Sequence, residues 1–139
     1  MSSRTKARKR AIDAVFAADL RKIPPLQLLD EVAELNVGRQ NQDEIFGYAR
    51  QIVQGIVEHH GEIDDLLETY SRGWAIDRMP NLDRAILRVA IWEILFNDQV
   101  PDPVAVYEAV ELAKELSTDE SGAFINGLLS KIVATKTAN

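Results

Sequence analysis

The stretch Asn81–Phe96, NLDRAILRVAIWEILF, constrains the fold of this chain more than any other. Set at about 100° per residue, Leu82, Ile86, Leu87, Val89, Ala90, Ile91, Trp92, Ile94, Leu95 and Phe96 leave no wide polar face. A helix that is apolar nearly all round belongs in an interior, with other helices on several sides. Its only charges are Asp83, Arg84, Arg88 and Glu93. Each must reach a rim or a partner, because an unpaired buried charge is costly. The stretch predicts the central, buried helix of a small all-α domain, over residues 81–97.

The flanking sequence supplies the helices to surround it. ARKRAIDAVFAADL carries Ala11, Ile12, Val15, Phe16 and Leu20 at helical spacing, and Ile23-Pro24-Pro25 ends that helix. A short helix over about Leu26–Leu35 follows, then a polar loop, Asn36–Asn41. From Gln42, the residues Ile45, Phe46, Ala49, Ile52, Val53, Ile56 and Val57 form a long apolar stripe, which Gly61 is expected to end as the C′ residue. Glu62, Asp64 and Asp65 suit the start of a fourth helix, carrying Ile63, Leu66, Leu67 and Tyr70. Ser71–Pro80 is read as a connection that buries Trp74 and Ile76.

Beyond the central helix, Asp102-Pro103 predicts a helix start, with Asp102 as N-cap and Pro103 at the first helical position. Ser117-Thr118-Asp119-Glu120 fits a capping box before a last helix through Phe124, Ile125, Leu128, Leu129 and Ile132. Thr135–Asn139 is read as a frayed tail. No segment alternates with period two, so the reading is about seven helices in one domain spanning residues 1–139.

The functional signal lies at the other end of the chain. Residues 1–10, with Arg4, Lys6, Arg8, Lys9 and Arg10, carry five basic side chains and no acid. The remaining residues hold 11 basic and 22 acidic side chains, within a net charge of −6. A basic arm on an acidic body points to a nucleic acid or another polyanion. Guanidinium groups bind phosphates bidentately and stack on unpaired bases. The arm contains no aromatic ring, which leaves Phe16 or Phe124 as candidates for stacking. On the helical wheel Lys6, Lys9, Arg10 and Asp13 share one polar face. Arg4 and Arg8 fall at the angle of Ile12 and Val15, so the first helix is expected to leave the core before its first turn and project a basic end, ordered on binding RNA. A solvated terminus is the plainer alternative, and a targeting presequence is discounted because no linker separates the arm from the helix.

Other chemistries find little support. With no cysteine there is no disulfide, thiolate nucleophile or cysteine-based zinc site, which is compatible with a reducing cytosol. The longest apolar run, Ala14–Ala18, is far below the roughly 20 residues of a membrane helix. His59 and His60 are adjacent, and so cannot face one metal ion as an i, i+4 pair does. No nucleophile elbow, Walker loop or dinucleotide-binding glycine pattern is present, and no cofactor is implied. The acids Glu108, Glu111, Glu115, Asp119 and Glu120 read as a solvated helix face.

Five segments in this order resemble the NusB family of transcription antitermination factors: RTKARKRAIDAVF, IVQGIVEHHGEIDDLLETY, DRAILRVAIWEILF, VAVYEAVELAKEL and ESGAFINGLLSKI. The resemblance covers essentially the whole chain. It implies an all-α fold of two small helical subdomains packed on shared apolar surface. It also implies a non-enzymatic function: binding boxA-type single-stranded RNA of nascent ribosomal RNA transcripts together with NusE, a ribosomal small-subunit protein. The pair would then load onto the RNA polymerase elongation complex.

Carried over by residue, the resemblance assigns RNA contacts to Arg4, Lys6 and Arg8, with Lys9 and Arg10 adding charge. Phe16 stands where the family often has tyrosine. Asp83, Arg84, Glu120 and Phe124 match positions near the RNA and partner surface. Gly122-Ala123 replaces a polar or basic pair often found before that phenylalanine, which shifts RNA binding toward the arm. Two other readings remain open. One is a helical oligomer, including a homodimer whose basic arm meets an acidic face of its partner. The other is a stand-alone remnant of an RNA methyltransferase's RNA-binding module.

Overall fold

The computed structural model describes residues 1–71 and 78–138. Seven helices are present among them, and no strand: α1 (Ser3–Arg21), α2 (Pro25–Leu35), α3 (Gln42–Glu58), α4 (His60–Tyr70), α5 (Asn81–Phe96), α6 (Asp102–Leu116) and α7 (Asp119–Ala138). The expected burial of Trp74 and Ile76 lies outside the described residues.

Helix α5 sits where its composition requires. Every residue from Ala85 to Ile94 is buried, and α5 packs against α1, α3, α4, α6 and α7. Helices α1, α2 and α3 pack on one another as one subdomain, and α4, α6 and α7 gather on α5 as the other. The seam runs where α1 and α3 meet α5. Ile86, Leu87, Ile91 and Ile94 of α5 share one continuous core with Ile12, Ile52, Ile63, Leu67, Ile125 and Leu129. Each such side chain contributes about 1.5–3 kcal/mol on full burial.

Small residues let the backbones approach at the seam, with Ala7, Ala11, Ala49 and Ala85 fully buried. Gly55 of α3 is the tightest point. A Cβ there would collide with the Trp92 indole, reaching Cδ1 at 2.6 Å and Nε1 closer still.

The four charges of α5 all find partners, but by different routes. Arg84 Nε donates to Asp19 at 3.1 Å and its Nη2 to Asn81. Arg88 holds Asp64 with two bonds of 2.9 and 3.0 Å and Asp19 with a third of 2.9 Å, tying α1, α4 and α5 together. Glu93 accepts from Arg8 and from the Tyr48 hydroxyl. Asp83 accepts from Ser121 Oγ at 3.1 Å through one oxygen, while its other oxygen is buried without a partner.

Several boundaries differ from the sequence reading for local reasons. Ser2 accepts from Thr5 N at 3.0 Å and starts α1 at Ser3, so the basic segment is its first two turns rather than an arm. Gly61 does not end α3. His59 closes α3 and opens α4 at once, stacking on Phe96 at 3.7 Å, and Gly61 falls inside α4. Pro101, not Asp102, precedes α6. At α7 the cap is shifted by one residue, with Thr118 Oγ1 accepting from Ser121 N at 3.0 Å. In the expected frayed tail Thr135 and Lys136 are tied down: Thr135 meets the Tyr70 hydroxyl at 2.8 Å, and Lys136 Nζ donates to Ile94 O at 2.6 Å and to Asp102 at 3.0 Å, while Asn139 lies outside the described residues.

Candidate nucleic-acid interface

The first two turns of α1 place the five basic residues in three environments. Lys6, Lys9 and Arg10 line a cleft of about 360 Å³ with Met1, Asp13, Gln42 and Ile45. The spacing i, i+3, i+4, i+7 put Lys6, Lys9, Arg10 and Asp13 on one face, and all four line this cleft. Lys6 is exposed and has no acidic partner among the described residues.

Arg4 and Arg10 meet aromatic rings of α3. The Arg4 guanidinium lies 4.0 Å over the Tyr48 ring and that of Arg10 lies 5.2 Å over the Phe46 ring. Both distances are within the range of cation–π attraction. Rings beside the cations therefore come from α3, and sequence reasoning missed them. Phe46 read only as part of the α3 core stripe, and Tyr48 lies off that stripe, so only the packing of α1 on α3 reveals the pairing. The expected candidates Phe16 and Phe124 are instead partly buried, packed against the core.

Arg8 is a correction. Its angle beside Ile12 and Val15 was expected to carry that face out of the core, but the residue is 4 % exposed. Its Nε donates to Glu93 at 2.8 Å and its Nη1 to Glu108 at 3.0 Å. Burial works against the charge, but the hydrogen bond and field of Glu93, with Tyr48 and Glu108, outweigh it and raise the Arg8 pKa. Burial, followed by the negative field of Glu93, pushes the Tyr48 hydroxyl up to about 12. Asn97 Nδ2 donates to that hydroxyl at 3.0 Å. Arg8 thus joins α1 to α5 and α6, and its guanidinium does not face solvent.

The acids of α6 are not uniformly solvated either. Glu108 accepts from Thr5 at 2.5 Å as well as from Arg8, and Glu115 accepts from Lys9 at 2.6 Å. Glu111 pairs instead with Lys114 of its own helix, at 3.4 Å.

The second candidate cluster is only partly at the surface. Asp83 is 3 % exposed, because Ser121 and the first turn of α7 cover it. Burial raises its pKa, against the lowering effect of Ser121 and Ser117. Arg84 is half-buried on Asp19, and Glu120 is exposed on the first turn of α7. Asp19 lies 13 positions beyond Lys6 on α1, about 20 Å at 1.5 Å rise per residue. At its α7 end the cluster lies nearer the α1 cations: Lys9 holds Glu115, and Ser117, two residues further on, shares a hydrogen bond with Ser121, which donates to Asp83.

No helix among the described residues is long and apolar enough to cross a membrane. Residues 5–134 match the NusB family. The transcription antitermination protein NusB of Leifsonia xyli is 53 % identical over 136 residues, covering 98 % of this chain and 94 % of that protein. T. maritima NusB superposes with a TM-score of 0.85 at 32 % identity, covering 96 % of this chain and 92 % of that one. A chain from the crystal structure of the antitermination factors NusB and NusE in complex with dsRNA gives 0.84 at 30 % identity, covering 97 % and 98 %. With this helix order, the α1 cation face and a match over nearly all its length, the chain belongs to the NusB family.

Proposed function

We propose that this chain is a non-catalytic transcription antitermination factor. In this reading it is one RNA-binding domain that acts in the cytoplasm. It binds boxA-type single-stranded RNA of nascent ribosomal RNA transcripts together with NusE, and reaches the RNA polymerase elongation complex through that assembly. The observation that carries the reading is the ordered cation face of α1. Lys6, Lys9 and Arg10 line one cleft, and Arg4 and Arg10 lie on rings of α3. Such a face suits phosphates along a strand, with the rings of Tyr48 and Phe46 orienting the guanidinium groups beside it. Arg8 serves indirectly, by anchoring α1 on Glu93 and Glu108.

The intrachain partners bear on the oligomer alternative. Arg8 and Lys9 already meet Glu93, Glu108 and Glu115 of their own chain, so they have less need of an acidic face on a second subunit. Asp83 acts in this reading from beneath the surface, by positioning α7, while Arg84, Glu120 and Phe124 form an edge suited to the protein partner.

The test is binding of a labelled boxA-type single strand over a salt series, with and without NusE, against a scrambled strand and a duplex. Affinity should fall with a log–log slope of about −0.7 per phosphate contact, with several contacts. NusE should tighten the boxA strand selectively. Weak binding that ignores both sequence and NusE would refute the reading.

A further inference from the structure

Two lysines of the α1 cleft differ in one respect. Lys6 is exposed with no acidic partner among the described residues, whereas Lys9 Nζ lies 2.6 Å from Glu115 Oε1, across 106 residues of sequence. Both side chains of that pair are partly exposed, at 29 % and 46 %. A pair this open to water contributes little to stability. A carboxylate at that distance nevertheless occupies the place that a phosphate oxygen would take on the same ammonium group. Two other acids of α6 sharpen the contrast. Glu108, two turns earlier on α6, also turns toward α1, whereas Glu111 between them turns to Lys114.

We propose that Glu115 is an internal competitor for RNA: it holds Lys9 in the free protein and must be displaced before Lys9 can take a backbone phosphate. The inference rests on the RNA-binding reading above and adds regulation of the same site. The acidic edge of α6 then sets how many phosphates the cleft engages and how strongly binding depends on salt. A phosphate that merely exchanges with Glu115 leaves a carboxylate needing a new counter-ion. The net ion release is therefore smaller than for a free lysine.

Glu115→Gln keeps the side-chain length and removes the charge, and Glu111→Gln removes the same charge from the same helix without touching α1. Thermal melts first establish that each variant folds. Affinity for a short fluorescein-labelled single-stranded RNA is then measured by anisotropy over a salt series. Glu115→Gln should bind about two- to fivefold tighter at low salt, with a slope steeper by up to about 0.7. Glu111→Gln should leave the slope unchanged. Lys9→Gln should cost more affinity in the Glu115→Gln background than in the natural chain, because only there is Lys9 free beforehand. Equal tightening by Glu111→Gln, or equal costs of Lys9→Gln in both backgrounds, would overturn the competition and leave only a general charge effect. If the natural chain shows no salt-dependent binding, the RNA-binding reading itself fails, and the inference falls with it.

Discussion

Replacing Arg8 by methionine separates a buried structural role from an RNA contact. The substitution keeps an unbranched stem in the core but leaves Glu93, 1 % exposed, without the guanidinium at 2.8 Å. Among the described residues only the Tyr48 hydroxyl then remains to hold that carboxylate. Breaking a buried ion pair from one side costs about 3–5 kcal/mol, a large share of the roughly 5–15 kcal/mol that holds a domain together. For 139 residues, an unfolding entropy of about 0.3 kcal/mol/K converts this into a Tm lower by about 10–17 °C. Adding Glu93→Gln removes the orphaned charge while keeping an acceptor for Tyr48. The double variant should therefore recover at least about half of the loss, since buried ion pairs and neutral replacements are often close in stability. Circular-dichroism melts measure the first effect, and RNA anisotropy well below the lowered Tm measures the second. Folded Arg8→Met should keep the salt slope of the natural chain. An unchanged Tm combined with a slope shallower by about 0.7 would refute the argument, and would make Arg8 a phosphate contact.

Gly55→Ala should destabilise by about 1–3 kcal/mol, because overpacking against Trp92 outweighs the roughly 1 kcal/mol gain in helix propensity; a higher urea midpoint would contradict this. The Tyr48 hydroxyl, held up to about 12, keeps its proton more tightly in the folded chain. Stability should thus fall between pH 10 and about 12 by up to about 1.4 kcal/mol per pH unit, and Tyr48→Phe should remove that component in melts across the range. Asp83 also has a raised pKa, so its ionised form costs stability as pH rises above its unfolded value of 3.8. Asp83→Asn should therefore be favoured over the natural chain at neutral pH, and this advantage should shrink in acid when the two are melted side by side.

How far the site could be read from residues alone varied with position. Lys6, Lys9, Arg10 and Asp13 share a face because their spacing is a property of one helix, and no other element is needed to see it. Arg8 misled because its wheel angle shows that it points inward but not that Glu93 and Glu108 wait there, from helices 85 and 100 positions away. The same holds for Glu115, which looks solvated on α6 until α1 is laid beside it. For Asp83 the residues alone required a rim or a partner, and only the packing shows that the first turn of α7 covers it.

By itself the sequence determined the helices and the depth of α5. Both follow from local periodicity and from the lack of any polar face between Ala85 and Ile94. It determined the family too, because the order and spacing of five segments survive without coordinates. Only the tertiary structure decided which charges remain available to a ligand. Whether a cation is free depends on what lies within a few ångströms of it, and here those partners come from helices far away in the chain: Glu93 for Arg8, Tyr48 for Arg4 and Glu115 for Lys9.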